Sequence, residues 1–251
     1  MKPMHRQSKP LIPVLLTGLL LVLPVPALSE LDPRLSQFGW QEFTFDDREE
    51  NSFQLVTGND ALDSHHIQIT SDSSVSIAYY TISDQQGAAF SLENTPYLSF
   101  EWQRQGPAIN TDLSRKGGDD RILSVYAAFA YQPEHASFSE KLTRKLVELK
   151  QGKDAPGRLL TYLWGGGPRT GSWFENPYTG DAGYMKILLR PTAPADIWHR
   201  HQVNLYQDFI DRFGHPPSEL LYIAIASDTD DTNSRQTAFI KGLNFTSSPA
   251  P

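Results

Sequence analysis

The chain has 251 residues, with 22 Lys and Arg against 29 Asp and Glu, 11% aromatic residues and no cysteine. That balance excludes a surface built to coat nucleic acid or an anionic membrane, since both need clustered positive charge. The aromatic content excludes general disorder, and the lack of cysteine excludes disulfides, thiolate chemistry and a lipoprotein attachment site.

Met1–Ser29 reads as an export signal. Lys2, Arg6 and Lys9 are followed by the apolar run Leu11–Leu23, and Ala27 and Ser29 occupy the two positions a signal peptidase reads. The apolar run is shorter than the roughly 20 residues of a membrane span, so cleavage is expected rather than retention as an anchor. The mature chain then starts at Glu30 as a soluble periplasmic or secreted protein. Losing those three basic residues leaves 19 against 29 acids and moves the net charge from −7 to −10. Residues 30–251 fit one β-sandwich domain, with a loose tail from Thr246.

Beyond the signal, period-two alternation dominates. Phe43–Phe45 and Phe53–Val56 are short candidate strands. Ile67 and Ile69 share one face of the next, and Val75, Ile77 and Tyr79 one face of the following strand. In PYLSFEWQ, Leu98, Phe100 and Trp102 face the core, with Ser99, Glu101 and Gln103 opposite. Arg121–Tyr131 and Glu219–Ser227 are apolar on both faces, as central strands are. Leu159–Trp164, Tyr184–Arg190, Ile197–Leu205 and Gln236–Phe245 bring the number to about eleven. Two helices interrupt them. Ser137 and Glu140 form a capping box before the stripe Phe138, Leu142, Leu146, Leu149, outside which lie Lys141, Arg144, Lys145 and Lys150. The second, near Tyr206–Phe213, stops at Gly214 and Pro216-Pro217. Strand runs with two peripheral helices predict an all-β antiparallel sandwich, jelly-roll or galactose-binding-like, rather than an alternating α/β fold.

The series LSFEW (Leu98–Trp102), RKGGDD (Arg115–Asp120), SVYAAF (Ser124–Phe129), TYLW (Thr161–Trp164), NPYT (Asn176–Thr179), KILLR (Lys186–Arg190) and IAIASDTDDT (Ile223–Thr232) resembles, in that order, exported bacterial proteins of domain-of-unknown-function family 3047. The resemblance implies a jelly roll of the kind seen in carbohydrate-binding modules. It implies no activity, because the family has none established. This chain carries Lys241 and Gly242 where the family's last strand tends to be acidic, which argues against a structural calcium site of the carbohydrate-binding-module type.

Four constellations are candidates for chemistry. The loop after Ser227 offers Asp228, Asp230 and Asp231, whose crowding calls for a cation or an arginine; oxygen-rich loops suit calcium. The alternative is a solvated turn whose acids cap backbone groups or pair with Arg235. Asp119 and Asp120 lead into a central strand after Gly117-Gly118, with Arg121 or Arg115 as partners. They point to opposite faces, so a catalytic pair must draw one of them together with Asp228 or Asp230. Trp164-Gly-Gly-Gly, Trp173-Phe174 and Asn176-Pro-Tyr178-Thr read as an aromatic loop that could stack on sugar rings, although Trp164 also suits a core strand and Trp173 a plug. His199 and His201 share a strand face and would need a third ligand, from His65, His66 or His215, to hold zinc.

The expectation is an exported, non-catalytic domain binding a glycan or other polar ligand through Asp120, Trp173, Asn176, Tyr178, Asp228 and Asp230. The alternatives are a polysaccharide hydrolase or lyase using Asp119, Asp120, Asp228 and Asp230, and an envelope-protein partner docking through the basic helix. No nucleic acid and no stable membrane insertion are expected. The acids meet only if the strands entered at Asp119-Asp120 and left at Asp228 are antiparallel neighbours. Counting simple reversals makes them parallel, so one connection must cross the sandwich.

Overall fold

A computed structural model describes residues 31–57, 65–82, 90–138, 140–141, 144, 155–167 and 169–250; the signal lies outside them. The elements are α1 (Pro33–Gln37), β1 (Trp40–Phe43), β2 (Ser52–Val56), β3 (His66–Asp72), β4 (Ile77–Thr81), β5 (Tyr97–Gln105), β6 (Arg121–Phe129), β7 (Arg158–Trp164), β8 (Trp173–Asn176), β9 (Gly180–Leu189), β10 (His199–Asn204), α2 (Leu205–Phe213), β11 (Leu220–Asp228) and β12 (Arg235–Thr246). Two sheets face each other, with orders β1-β4-β11-β6-β7-β9-β8 and β10-β5-β12-β3-β2. From β4 to β6, and again from β10 to β12, the chain changes sheet at each step, the habit of a jelly roll.

The inner faces make the core. Leu98, Phe100 and Trp102 are each at most 1% exposed, as their alternation demands. Trp102 of the smaller sheet meets Trp164 of the larger at 5.9 Å between ring centroids. The central strands β6 and β11 are buried on nearly every residue. α2 is capped by Asn204, whose Oδ1 accepts from Gln207 N, and ended by Gly214 at φ 78°. It lays Phe209 on Phe129 at 4.5 Å. Ala250 N donates to Gln202 Oε1, which ties down the C-terminal residues.

Several local expectations change. β1 starts and ends earlier than Phe43–Phe45, and β10 begins at His199, leaving Ile197 half exposed. In β4 the period is two, and Ala78 and Tyr80 pack inward, so Ile77 and Tyr79 lie on the outer face. The capping box after Ala136 is present, with Ser137 N donating to Glu140 Oε2 and Glu140 N to Ser137 Oγ. Phe138, however, is 80% exposed. Arg144 is buried, donates to the carbonyls of Ala155 and Pro156, and lies over the Tyr131 ring. An arginine spent on the fold is not part of a free basic docking face. Leu142, Lys145, Leu146, Leu149 and Lys150 lie outside the described residues.

The aromatic segment read as a loop is in fact β8, antiparallel to β9, and β9 runs parallel to β7. One extra reversal between β7 and β9 changes the parity of everything after it. β11 therefore runs antiparallel to β6, with no connection needing to cross the sandwich.

The core assignment has a direct test. Trp102→Ala should cost about 3–5 kcal/mol of unfolding free energy in urea denaturation, through lost burial and the cavity left behind. A loss near zero would contradict the assigned register of β5.

Candidate functional site

Because β6 and β11 are antiparallel neighbours, Arg121 at the start of one lies opposite Asp228 at the end of the other. The residues before Arg121 and after Asp228 thus share one pole of the sandwich. Gly117, at φ 71°, turns the chain toward β6 in a conformation side chains resist. The loop from Thr229 to Ser234 crosses from the larger sheet to the smaller, with Asn233 left-handed at φ 49°.

Arg121 organises this pole. It is 8% exposed. Nη1 is 3.2 Å from Asp119 Oδ2 and 3.1 Å from Asp228 Oδ2, and also donates to the Asp119 carbonyl. Nη2 donates to Tyr126 Oη at 2.5 Å and Nε to Ser124 Oγ at 3.3 Å. Asp120 is fully buried and takes no arginine among the described residues; its carboxylate accepts from Asp231 N, Thr232 N and Thr232 Oγ1, pinning the second loop to the first. Asp230 pairs at 2.8 Å with Arg48, from the β1–β2 connection. Tyr178, 55% exposed, donates to Asp119 Oδ1 at 2.7 Å and accepts from Gly117 N. Asn176 Oδ1 accepts from Tyr178 N, an Asx turn that sets this tyrosine at the tip. Beneath the pole, Asn51, Ser71, Ser74, Ser76 and Thr229 form a buried hydrogen-bonded network.

Five carboxylates here share two arginines, and the proton affinities follow. The Asp228 carboxyl is pushed up to about 8, first by burial, against the pull of Arg121, and then by repulsion from Asp230, Asp119 and Asp120. Its Oδ1 is buried with no hydrogen-bond partner among the described residues. Asp231 is also raised, by burial and then by Asp230, Asp120 and Asp119. The Tyr178 phenol is pushed up to about 12, by burial and, against the Gly117 hydrogen bond, by Asp119.

Of the candidate residues, the structure brings Asp119, Asp120, Tyr178, Asp228, Asp230 and Asp231 together, with Asn176 behind Tyr178. Trp173 does not join them. It is half buried on β8, edge-on to Tyr162 at 5.8 Å and under Lys186 and Arg212, so it plugs the core near α2. Trp164 is buried and donates its indole N–H to the Arg190 carbonyl. The glycines after it admit protein rather than ligand: a Cβ on Gly166 would stand 2.1 Å from the Thr111 carbonyl oxygen. The side-chain oxygens that could hold a hard cation are those of Asp120, Asp230 and Asp231, within 4.8 Å of one another. Asp228 is drawn to Arg121 instead. Arg115 pairs with Asp112 and Arg235 with Asp72, outside this group. His201 packs on Trp102 and Phe100, its ring pushed down to about 4 by burial and then by His199. His199 Nε2 lies 2.8 Å from the Pro194 carbonyl oxygen. No histidine joins a metal-capable group among the described residues. Arg48 is the residue the sequence reading missed; its only signal was a cation beside Asp46-Asp47 in a loop of no regular pattern.

A model of the family described as protein of unknown function (DUF3047) matches residues 38–244. The chain belongs to that family. Among curated proteins no sequence match was found. Solved structures similar to this family member include a β-1,2-glucanase from Parabacteroides distasonis, at 10% identity and TM-score 0.40, covering 83% of this chain and 23% of that one. The family 11 xylanase from Neocallimastix patriciarum has 10% identity and TM-score 0.39, covering 82% and 90%. The xyloglucanase domain of NopAA from Sinorhizobium fredii, in complex with cellobiose, has 9% identity and TM-score 0.37, covering 82% and 97%. The chain spans about a quarter of the glucanase's length. Likenesses this distant say nothing of chemistry.

Asp228 makes the pole sensitive to pH. Its folded-state value lies above the ordinary 3.8, so the native state holds this proton more tightly than the unfolded chain. The stability that proton confers is complete below about pH 4 and is lost as the pH rises toward 8. Asp228→Asn should flatten the fall in unfolding free energy between about pH 5 and pH 9. An unchanged slope would contradict the raised proton affinity.

Proposed function

We propose that this chain is an exported, non-catalytic binding domain that holds a polar, carbohydrate-like ligand at the acidic pole. One observation carries the reading: Tyr178, exposed at a loop tip and fixed by hydrogen bonds to Asp119 and Gly117, adjoins a rim of carboxylates and arginines gathered from three distant segments. An aromatic ring for the C–H face of a sugar, beside charged groups for its hydroxyls, is the usual composition of a site for such ligands. Export rests on the basic start, the short apolar run and the small residues before Glu30.

The hydrolase alternative draws on Asp228, whose raised proton affinity is what a general acid needs. Its carboxyl is 5% exposed and tied to Arg121, and Asp120 is fully buried. An acid that cannot touch a glycosidic oxygen cannot protonate it. The accessible groups, Tyr178 and Asp231, suit holding better than cleaving, and the Asp230 side chain is 12% exposed and tied to Arg48. The partner alternative is weakened by the structural engagement of Arg144.

An array of neutral and acidic oligosaccharides, followed by calorimetry on the best binder, tests this reading. Tyr178→Ala should weaken binding about tenfold at an unchanged melting temperature, and no new reducing ends should appear on long incubation. Absence of any binding oligosaccharide would overturn glycan recognition. Release of reducing ends abolished by Asp228→Asn would favour the hydrolase.

A further inference from the structure

The outer face of the seven-stranded sheet carries a feature that pole recognition does not use. Along one register row, Gln41 of β1 is paired with Tyr79 of β4, Tyr79 with Ala224 of β11, and Ala224 with Tyr126 of β6. Tyr222, two residues before Ala224 on the same face of β11, brings its ring to 5.5 Å from that of Tyr79. Tyr126, paired with Ala224, is the diagonal neighbour of Tyr222 on the adjacent strand. The three tyrosines close over Ala224, which is 0% exposed, while all three rings remain partly open to solvent.

Two of the hydroxyls are held in place. Tyr79 donates to Gln41 Oε1 at 2.9 Å, and Tyr126 accepts from Arg121. Arg121 also binds Asp119, and Asp119 accepts from Tyr178. Hydrogen bonds therefore join Tyr126 of the platform to Arg121, Asp119 and Tyr178 at the pole, while Gln41 and Tyr79 form a separate pair across Ala224, with Tyr222 beside Tyr79. Tyr222's own hydroxyl takes no hydrogen bond among the described residues. Neighbouring strands lie about 4.8 Å apart, so β4 to β6 spans roughly 10 Å, near the length of a disaccharide.

We infer that this tyrosine platform is a binding subsite for a neutral, extended polysaccharide chain that runs from the sheet face onto the acidic pole. The inference rests on the glycan reading above and specifies its ligand class. Rigid phenols with preset hydroxyls offer stacking area at little conformational cost. The row Gln41, Tyr79, Ala224, Tyr126 has no formal charge, and the pole it leads to has five carboxyl groups against Arg48, Arg121 and Lys116, whose Nζ lies 5.4 Å from the Tyr178 ring centroid. Such a strip repels acidic polymers and accepts neutral ones.

Affinity electrophoresis of the purified exported protein through hydroxyethylcellulose, xylan, β-1,2-glucan and polygalacturonate tests the inference. Retardation by at least one neutral polymer is expected to fall fivefold or more in Tyr79→Ala and in Tyr222→Ala, and to persist in Tyr79→Phe. The same polymer should slow nitration of Tyr79 and Tyr222 in the unaltered protein, a readout independent of how well the variants fold. Unchanged retardation in both alanine variants, with nitration unprotected, would overturn the platform. The pole reading would then survive if Tyr178→Ala alone weakened binding. Retardation by polygalacturonate alone would also overturn the neutral-chain inference, and no retardation by any polymer, with no oligosaccharide bound, would overturn both.

Discussion

A single buried guanidinium holds the acidic pole of this protein together. Arg121 lies at the start of a central strand with almost no access to water, and burying a charge there costs several kcal/mol unless it is paired and hydrogen-bonded. Asp119 and Asp228 pair it, and Tyr126 and Ser124 take its remaining donors. The same bonds bring two acidic loops, far apart in sequence, to one point. Without Arg121, the buried Asp228 would face only other carboxylates. Asp120 supplies the second tie, through backbone N–H groups rather than through a cation, which is how a fully buried carboxylate can be tolerated without its own arginine.

The arrangement also accounts for the character of the surface around it. Arg121 reaches along the outer face of β6, so Tyr126 of the sheet and Tyr178 of the loop are joined by hydrogen bonds through Arg121 and Asp119. Small residues beneath them, Ala128, Ala224, Ala226 and Ser124, leave room for rings to lie close to the sheet. The inner face is filled by bulky apolar groups and a tryptophan pair across the sheets. One sheet thus carries two kinds of surface on its two sides, and the period-two alternation of the strand permits it.

Much of the fold was legible because burial and alternation coincide. Leu98, Phe100 and Trp102 announce an inward face, and the doubly apolar runs of β6 and β11 announce central strands. The family resemblance and the sandwich followed. β8 was not legible: four residues containing Glu175 and Asn176, beginning with Trp-Phe, look like an aromatic loop, and only pairing with β9 makes them a strand. That omission alone reversed the expected direction of β11. The outer tyrosines were hidden for a related reason. Where aromatic residues occupy both faces, alternation gives the period but not the phase, so the sequence groups Ile77 with Tyr79 without saying which face is buried. Of the site, the aspartates were visible as crowded charge that needed relief. Arg48 was not, since its role depends on a loop packing against a pole formed by strands far along the chain. Trp173 was misplaced because a tryptophan that plugs a core and one that stacks on a ligand have the same local sequence.

A double-mutant cycle between Arg121→Met and Asp228→Asn, followed by urea unfolding at about pH 10, where Asp228 is ionised beside Arg121, tests the central role of Arg121 most directly. The account predicts that Arg121→Met alone costs about 3–5 kcal/mol, because an uncompensated buried acid remains. Adding Asp228→Asn should return a large part of that loss, giving a coupling well above the scatter of independent sites. Additive losses would show that Arg121 does not stand between the fold and the charge of Asp228, and would contradict the account.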